Sequence, residues 1–133
     1  MSNSWDNVLL QLTSKLNTVA RDYNLPITCF VEGNNVKNRE IFVKFLNVTN
    51  LERFIPCARK HFNEVKEDKS NVIKIFDYSK LKKNSKWYSK TEAYKKNIED
   101  FYNDFIDFCQ VLNEEVWWQL MHSQFGNSRI LKV

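Results

Sequence analysis

The first periodic signal along the chain is Trp5, Leu9, Leu12, Leu16, Val19, Ala20 and Tyr23, apolar residues recurring at spacings of three and four. That spacing predicts an amphipathic helix over 4–23 with one apolar stripe. Ser4 is placed to cap it. Asn24-Leu25-Pro26 is placed to end it, because a residue before proline is pushed out of the α region. The pattern then shortens to a strand over 27–31, followed by turn chemistry at Glu32-Gly33-Asn34-Asn35. Residues 40–48 (EIFVKFLNV) read as a second strand, pairing with the first. Ile41, Val43 and Phe45 face one way and Phe42 and Leu46 the other, so this strand is expected to be central and covered on both sides.

Helical spacing returns at Leu51, Phe54, Ile55, Ala58, Phe62 and Val65, predicting a second helix over 50–67. Pro56 costs a backbone hydrogen bond inside a helix, so the helix proper is expected to start near it. Residues 72–78 (VIKIFDY) read as a third strand. A lysine-rich loop, 79–90, leads to Ser89-Lys90-Thr91-Glu92, a capping box that opens the longest helix, 90–125. Its apolar face runs through Tyr94, Ile98, Phe101, Tyr102, Phe105, Phe108, Cys109, Leu112, Val116 and Leu120, and Gly126 is a natural C-terminal cap. Some 30 helical residues span about 45 Å, which is wider than so small a domain. The helix is therefore expected to break near Asn113 or to project beyond the body. The sum is one α+β domain over 1–133, in the order α-β-β-α-β-α, with a small antiparallel sheet of about three strands.

A hydrophobic fraction of 43% and an aromatic fraction of 14% are enough to support a core in a chain of 133 residues. No apolar run approaches the roughly 20 residues needed to cross a bilayer, and the N-terminus lacks a basic stretch followed by an apolar one. Three widely spaced cysteines suit reduced thiols. An intracellular setting, cytoplasm or nucleus, without membrane association is the expectation. In that setting the acceptor pattern Asn47-Val48-Thr49 would be idle.

The net charge of +4 is modest, but it is unevenly placed. Between Lys80 and Lys96 there are seven lysines against one glutamate, a local charge of +6. Between Asn97 and Val116 there are six acids (Glu99, Asp100, Asp104, Asp107, Glu114, Glu115) and no base.

Few residues suggest catalysis. Cys57 and His61 stand four apart and can share a helix face, as half a metal site or a thiol–imidazole pair, but no second Cys/His pair lies at ligand spacing. The bland alternative is a packed thiol beside a polar imidazole. The acids of the last helix include pairs three and four apart that could hold a cation, or simply form a solvated face. No Gly-rich phosphate loop, nucleophile elbow or HExxH motif accompanies them. The expectation is a non-enzyme without metal or cofactor.

Two stretches ask for more than folding. In Lys80, Lys82, Lys83, Lys86, Lys90, Lys95 and Lys96, with Trp87 and Tyr88 interleaved, lysines can hold phosphates and aromatics can stack on bases. The alternative is a solvated loop whose aromatics fold onto the core. Trp117 and Trp118, with Met121 nearby, point about 100° apart on a helix, so both are buried only if the helix is enclosed on more than one side. Either the tail (Ile130, Leu131, Val133) covers them, or they meet a partner.

The helix, the Leu25-Pro26 stop, the strand, turn and second strand, and the later Ser89-Lys90-Thr91-Glu92-Ala93-Tyr94-Lys95-Lys96 together resemble the double-stranded-RNA-binding domain over about half of the chain. That resemblance implies shape-based binding of duplex RNA, with the lysines at the start of the last helix on phosphate. The second helix, the length of the last helix and the missing glycines before the lysine cluster depart from that family's pattern.

Two expectations of function follow. One is a non-catalytic binding module for an anionic partner, RNA or DNA or an acidic protein surface, acting through the lysine/aromatic segment. The other is a protein–protein adaptor or inhibitor, such as a virus- or host-defence-related factor, docking into a partner or a second copy through Trp117, Trp118 and Met121.

Overall fold

The computed structural model describes the backbone of residues 3–81 and 92–125, and the side chains of 7–81 and 95–122. Helix α1 spans Asn3–Asp22. Strands β1 (Ile27–Glu32) and β2 (Glu40–Phe45) follow, then α2 (Val48–Arg59), β3 (Lys66–Glu67), β4 (Val72–Asp77) and α3 (Glu92–Phe125). The fold is α+β, in the expected order. The sheet has four strands rather than about three, because Lys66–Glu67 adds a two-residue edge strand that carries no hydrophobic signal. Its order is β1-β2-β4-β3 and every pairing is antiparallel.

Buried residues of α1 (Leu9, Leu12, Leu16, Val19, Ala20), α2 (Leu51, Phe54, Ala58) and α3 (Phe101, Phe105, Cys109, Leu112) join Ile27, Cys29, Ile41, Val43, Phe45 and Ile73 in one core. The strand residues alternate, so the three helices draw on the same face of the sheet. The opposite face is only partly apolar. Phe42 is buried there and stacks on Phe30 with ring centroids 5.1 Å apart, while Lys44 is exposed. β2 is thus central as expected, but its second face is mixed. Between β2 and β4 the register skips Ile75, and this irregularity turns both Ile75 and Phe76 into the core.

Five boundaries differ from expectation for local reasons. α1 spans from Asn3, so the backbone of Ser4 lies within the helix; its side chain, the expected cap, lies outside the described residues. Its end is set by Asn24 in the left-handed region (φ 56°), where Leu25 N–H bonds back to the Ala20 carbonyl at 2.9 Å, as much as by Pro26. β2 ends at Phe45, leaving Leu46 exposed and Val48 to open α2. α2 starts before Pro56 and runs through it. The Asn47 side chain caps the helix by accepting from Asn50 N–H at 3.1 Å, and Pro56 lies on the solvent side, where water can meet the carbonyl it leaves unbonded. α2 stops at Arg59, so Phe62 and Val65 are buried from the segment that follows it.

Gly33 is needed where it stands. Its φ is +99°, and an added Cβ would lie 2.1 Å from the Asn38 carbonyl oxygen. The β1 edge is closed by a side chain. Asn17 of α1 donates to the Cys29 carbonyl at 2.8 Å and accepts from the Cys29 N–H at 2.7 Å, doing for that residue what a neighbouring strand would do. No helix among the described residues is long and apolar enough to cross a membrane.

Candidate interaction surface

The 34 residues of α3 make an unbroken helix of about 50 Å. Its first half is structural. Phe101, Phe105, Cys109 and Leu112 are fully or almost fully buried, and Phe54 of α2 meets Phe101, Phe105 and Phe108 at centroid distances of 6.3, 5.8 and 5.4 Å. Asn113 is no break point. Its side-chain N–H donates to the Tyr23 carbonyl at 2.9 Å, satisfying the end of α1. Two residues later Glu115 accepts two bonds from the Arg53 guanidinium, at 2.6 and 2.8 Å. That fork holds the Glu115 carboxyl below the ordinary glutamate range and raises the guanidinium.

Beyond these anchors the helix leaves the body. Val116, Trp117, Trp118, Leu120 and Met121 are 53%, 59%, 63%, 43% and 41% exposed. Val116 and Leu120, expected to be buried, continue the stripe of Cys109 and Leu112 past the point where the sheet and the other helices can cover it. Trp117, Trp118 and Met121 widen it. At 100° per residue the five side chains cover about 200° of the helix, and Glu115, Gln119 and His122 occupy the rest. The Trp118 ring lies against His122, four residues on, with centroids 3.7 Å apart. The tail residues Ile130, Leu131 and Val133 lie outside the described residues, but the two tryptophans are open to solvent.

The basic end of the helix is described only in part. Lys82, Lys83, Lys86, Trp87, Tyr88 and Lys90, with the capping box at Ser89, lie outside the described residues. Lys80 is exposed at the end of a 3-10 turn, and Lys95 and Lys96 are exposed in the first turns of α3. Lys96 stands 3.6 Å from Asp100, one turn on. Lys95 also lines a groove of about 430 Å³ between α1 and α3, together with Leu12, Lys15, Ile98, Glu99 and Tyr102. The Lys15 ammonium sits 5.7 Å from the centre of the Tyr102 ring. The sequence pattern did not join Lys15 to this basic end; the packing of α1 on α3 does. Lys95 and Trp117 are 22 residues apart, so about 33 Å of helix separates the two ends.

The acids of α3 are not all a solvated face. Asp104 meets His61 Nε2 at 2.6 Å, the His61 ring packs against Phe101, and the buried Asn97 side chain donates to the His61 carbonyl at 3.3 Å. These contacts fasten the segment after α2 to α3. The Cys57 thiol lies beside them, half-buried. Burial, and then the negative charge of Asp104, push it up to about 11, so it stays protonated at neutral pH. Burial also raises the Cys29 and Cys109 thiols. Among the described residues no group of three or more His, Cys, Asp or Glu is placed to hold a metal ion. No protein-family model, no curated protein and no solved structure matches this chain.

Proposed function

We propose that the protein is a non-catalytic interaction module that docks onto another protein surface through the projecting end of α3, with Trp117, Trp118 and Met121 as its anchors. The observation that carries this reading is the exposure of five large apolar side chains on a helical segment held out from the body by Asn113–Tyr23 and Arg53–Glu115. A contiguous apolar patch of this kind is costly in water, and tryptophan is enriched at interface hot spots. An amphipathic helix laid into an apolar surface is a recurring recognition mode. The test is a photo-crosslinking amino acid in place of Gln119 in the full chain, in the cell that makes it. A discrete protein adduct lost on Trp118→Ala supports docking. No adduct at all contradicts it.

A second reading has its own support. Lys15 of α1 and Lys95 of α3 line one groove, and Lys80 and Lys96 are exposed close in sequence to the remaining lysines. This end of the protein suits an anionic partner, RNA or DNA, bound through phosphate. Because the two ends of α3 are about 33 Å apart, the nucleic-acid surface and the docking surface would act together as an adaptor. A salt titration of nucleic-acid binding tests it. Binding weakened by salt and by Lys95→Glu with Lys96→Glu supports the reading, and no binding at low salt ends it.

A further inference from the structure

We infer that the surface docked by the end of α3 is the same segment of a second copy of this chain, packed antiparallel to it. The inference rests on the docking reading above and names its partner.

Three features carry it. The first is area. The exposed parts of Val116, Trp117, Trp118, Leu120 and Met121 amount to roughly 600 Å² on one chain. They spread over about 200° of the helix, more than one facing helix covers, so two copies remove at most about 1,200 Å², which suits a weak pairing. One copy alone supplies both sides of such an interface, as a two-fold pairing requires.

The second is reach. From Leu112, the last buried residue of α3 among the described side chains, to Phe125 the helix extends about 20 Å. Two segments can overlap along that length while their bodies lie at opposite ends.

The third is charge. From Val116 to Phe125 there is no Asp, Glu, Lys or Arg, so pairing the segment with itself opposes no like charges. On its N-terminal side stand Asp104, Asp107, Glu114 and Glu115. A parallel pair would set Glu114 and Glu115 of the two copies side by side. An antiparallel pair separates them.

Sedimentation equilibrium of the full chain, with a spin label at Gln110→Cys in a Cys57→Ser background, tests both parts. The expected result is a dimer at about 100 µM, above the micromolar range that suits so small an interface. Trp118→Ala weakens it at least about tenfold while leaving the far-UV spectrum unchanged. The two labels stand about 30 Å apart in an antiparallel pair whose axis passes near residue 120, against about 10 Å in a parallel one. A chain that stays monomeric at that concentration overturns the inference, and a short label distance overturns the orientation. The crosslinking experiment separates this from failure of the docking reading. A monomer that forms a Trp118-dependent adduct with a different protein overturns self-pairing alone. A monomer without any adduct overturns both.

Discussion

Two aromatic residues thirteen positions apart on one helix should respond in opposite ways to truncation. Phe105 is fully buried, with Phe54 at 5.8 Å and Phe101 at 6.4 Å. Phe105→Ala removes that burial and leaves a cavity beneath α2, which costs about 4 kcal/mol. Trp118 is 63% exposed and touches His122 across one helical turn. Trp118→Ala loses about 0.2–0.5 kcal/mol of that contact and regains a similar amount from the better helix propensity of alanine. Urea denaturation followed by far-UV circular dichroism measures both. With a slope of about 2 kcal/mol per molar urea, the Phe105 variant shifts its midpoint down by about 2 M, and the Trp118 variant in dilute protein stays within about 0.5 kcal/mol of the parent. Repeating the Trp118 comparison at rising protein concentration separates fold from interface. A loss that grows with concentration is mass action on a dimer. A Trp118→Ala loss above about 1.5 kcal/mol at every concentration would mean that the tryptophan belongs to the fold, and the reasoning would fail.

Three other outcomes are expected. Asn17→Ala strips both partners from the Cys29 peptide groups at the β1 edge and should cost about 2–4 kcal/mol, read from the same denaturation curves; a loss below 0.5 kcal/mol would show that water replaces the amide at once. Burial pushes the Asp77 carboxyl up, but hydrogen bonds from Ser79 and Lys74 outweigh it and hold the group below the ordinary aspartate range. Its stabilisation is therefore present above about pH 4 and is lost as pH falls through the depressed folded value. The stability gap between the parent and Asp77→Asn should be flat from neutral pH down to about 5 and close at lower pH; a gap that persists into acid contradicts the assignment. The Cys57 thiol, pushed up to about 11, should react with iodoacetamide at neutral pH at least about tenfold more slowly than a free cysteine, because its loss of thiolate outweighs the greater nucleophilicity of a more basic thiolate, and a rate equal to that of a free cysteine would revive a nucleophilic role for it.

The helices and principal strands were legible because their signals are periodic and local. Leu9, Leu12 and Leu16 mark α1, and Phe101, Phe105 and Leu112 mark α3, at spacings that only a helix uses. Where spacing alone carried the reading further, it failed in a definite way. Val116 and Leu120 continue the stripe of α3 without interruption, and nothing local shows that the body has ended beneath them. Pro56 was a poor boundary marker because its effect depends on which side of α2 it occupies. β3 has no signal of its own, since Lys66 and Glu67 join the sheet only by pairing with β4. The pairs that tie α2 to α3 were out of reach. His61 and Asp104 are 43 residues apart, and Arg53 and Glu115 are 62 apart, so packing alone brings them together. The two tryptophans were legible as an anomaly from the start, because adjacent helical positions cannot both face a single core.

The central claim is that the end of α3 is a surface held out for another protein. The most direct measurement is the hydrodynamic size of the protein in gently lysed extract of its own cells, for the parent and for Trp117→Glu combined with Trp118→Glu. The parent should migrate as an assembly larger than one chain, and the variant as a single chain whose thermal midpoint in dilute purified protein matches the parent's. A parent that migrates as a single chain, or a variant that keeps the parent's size, would contradict it.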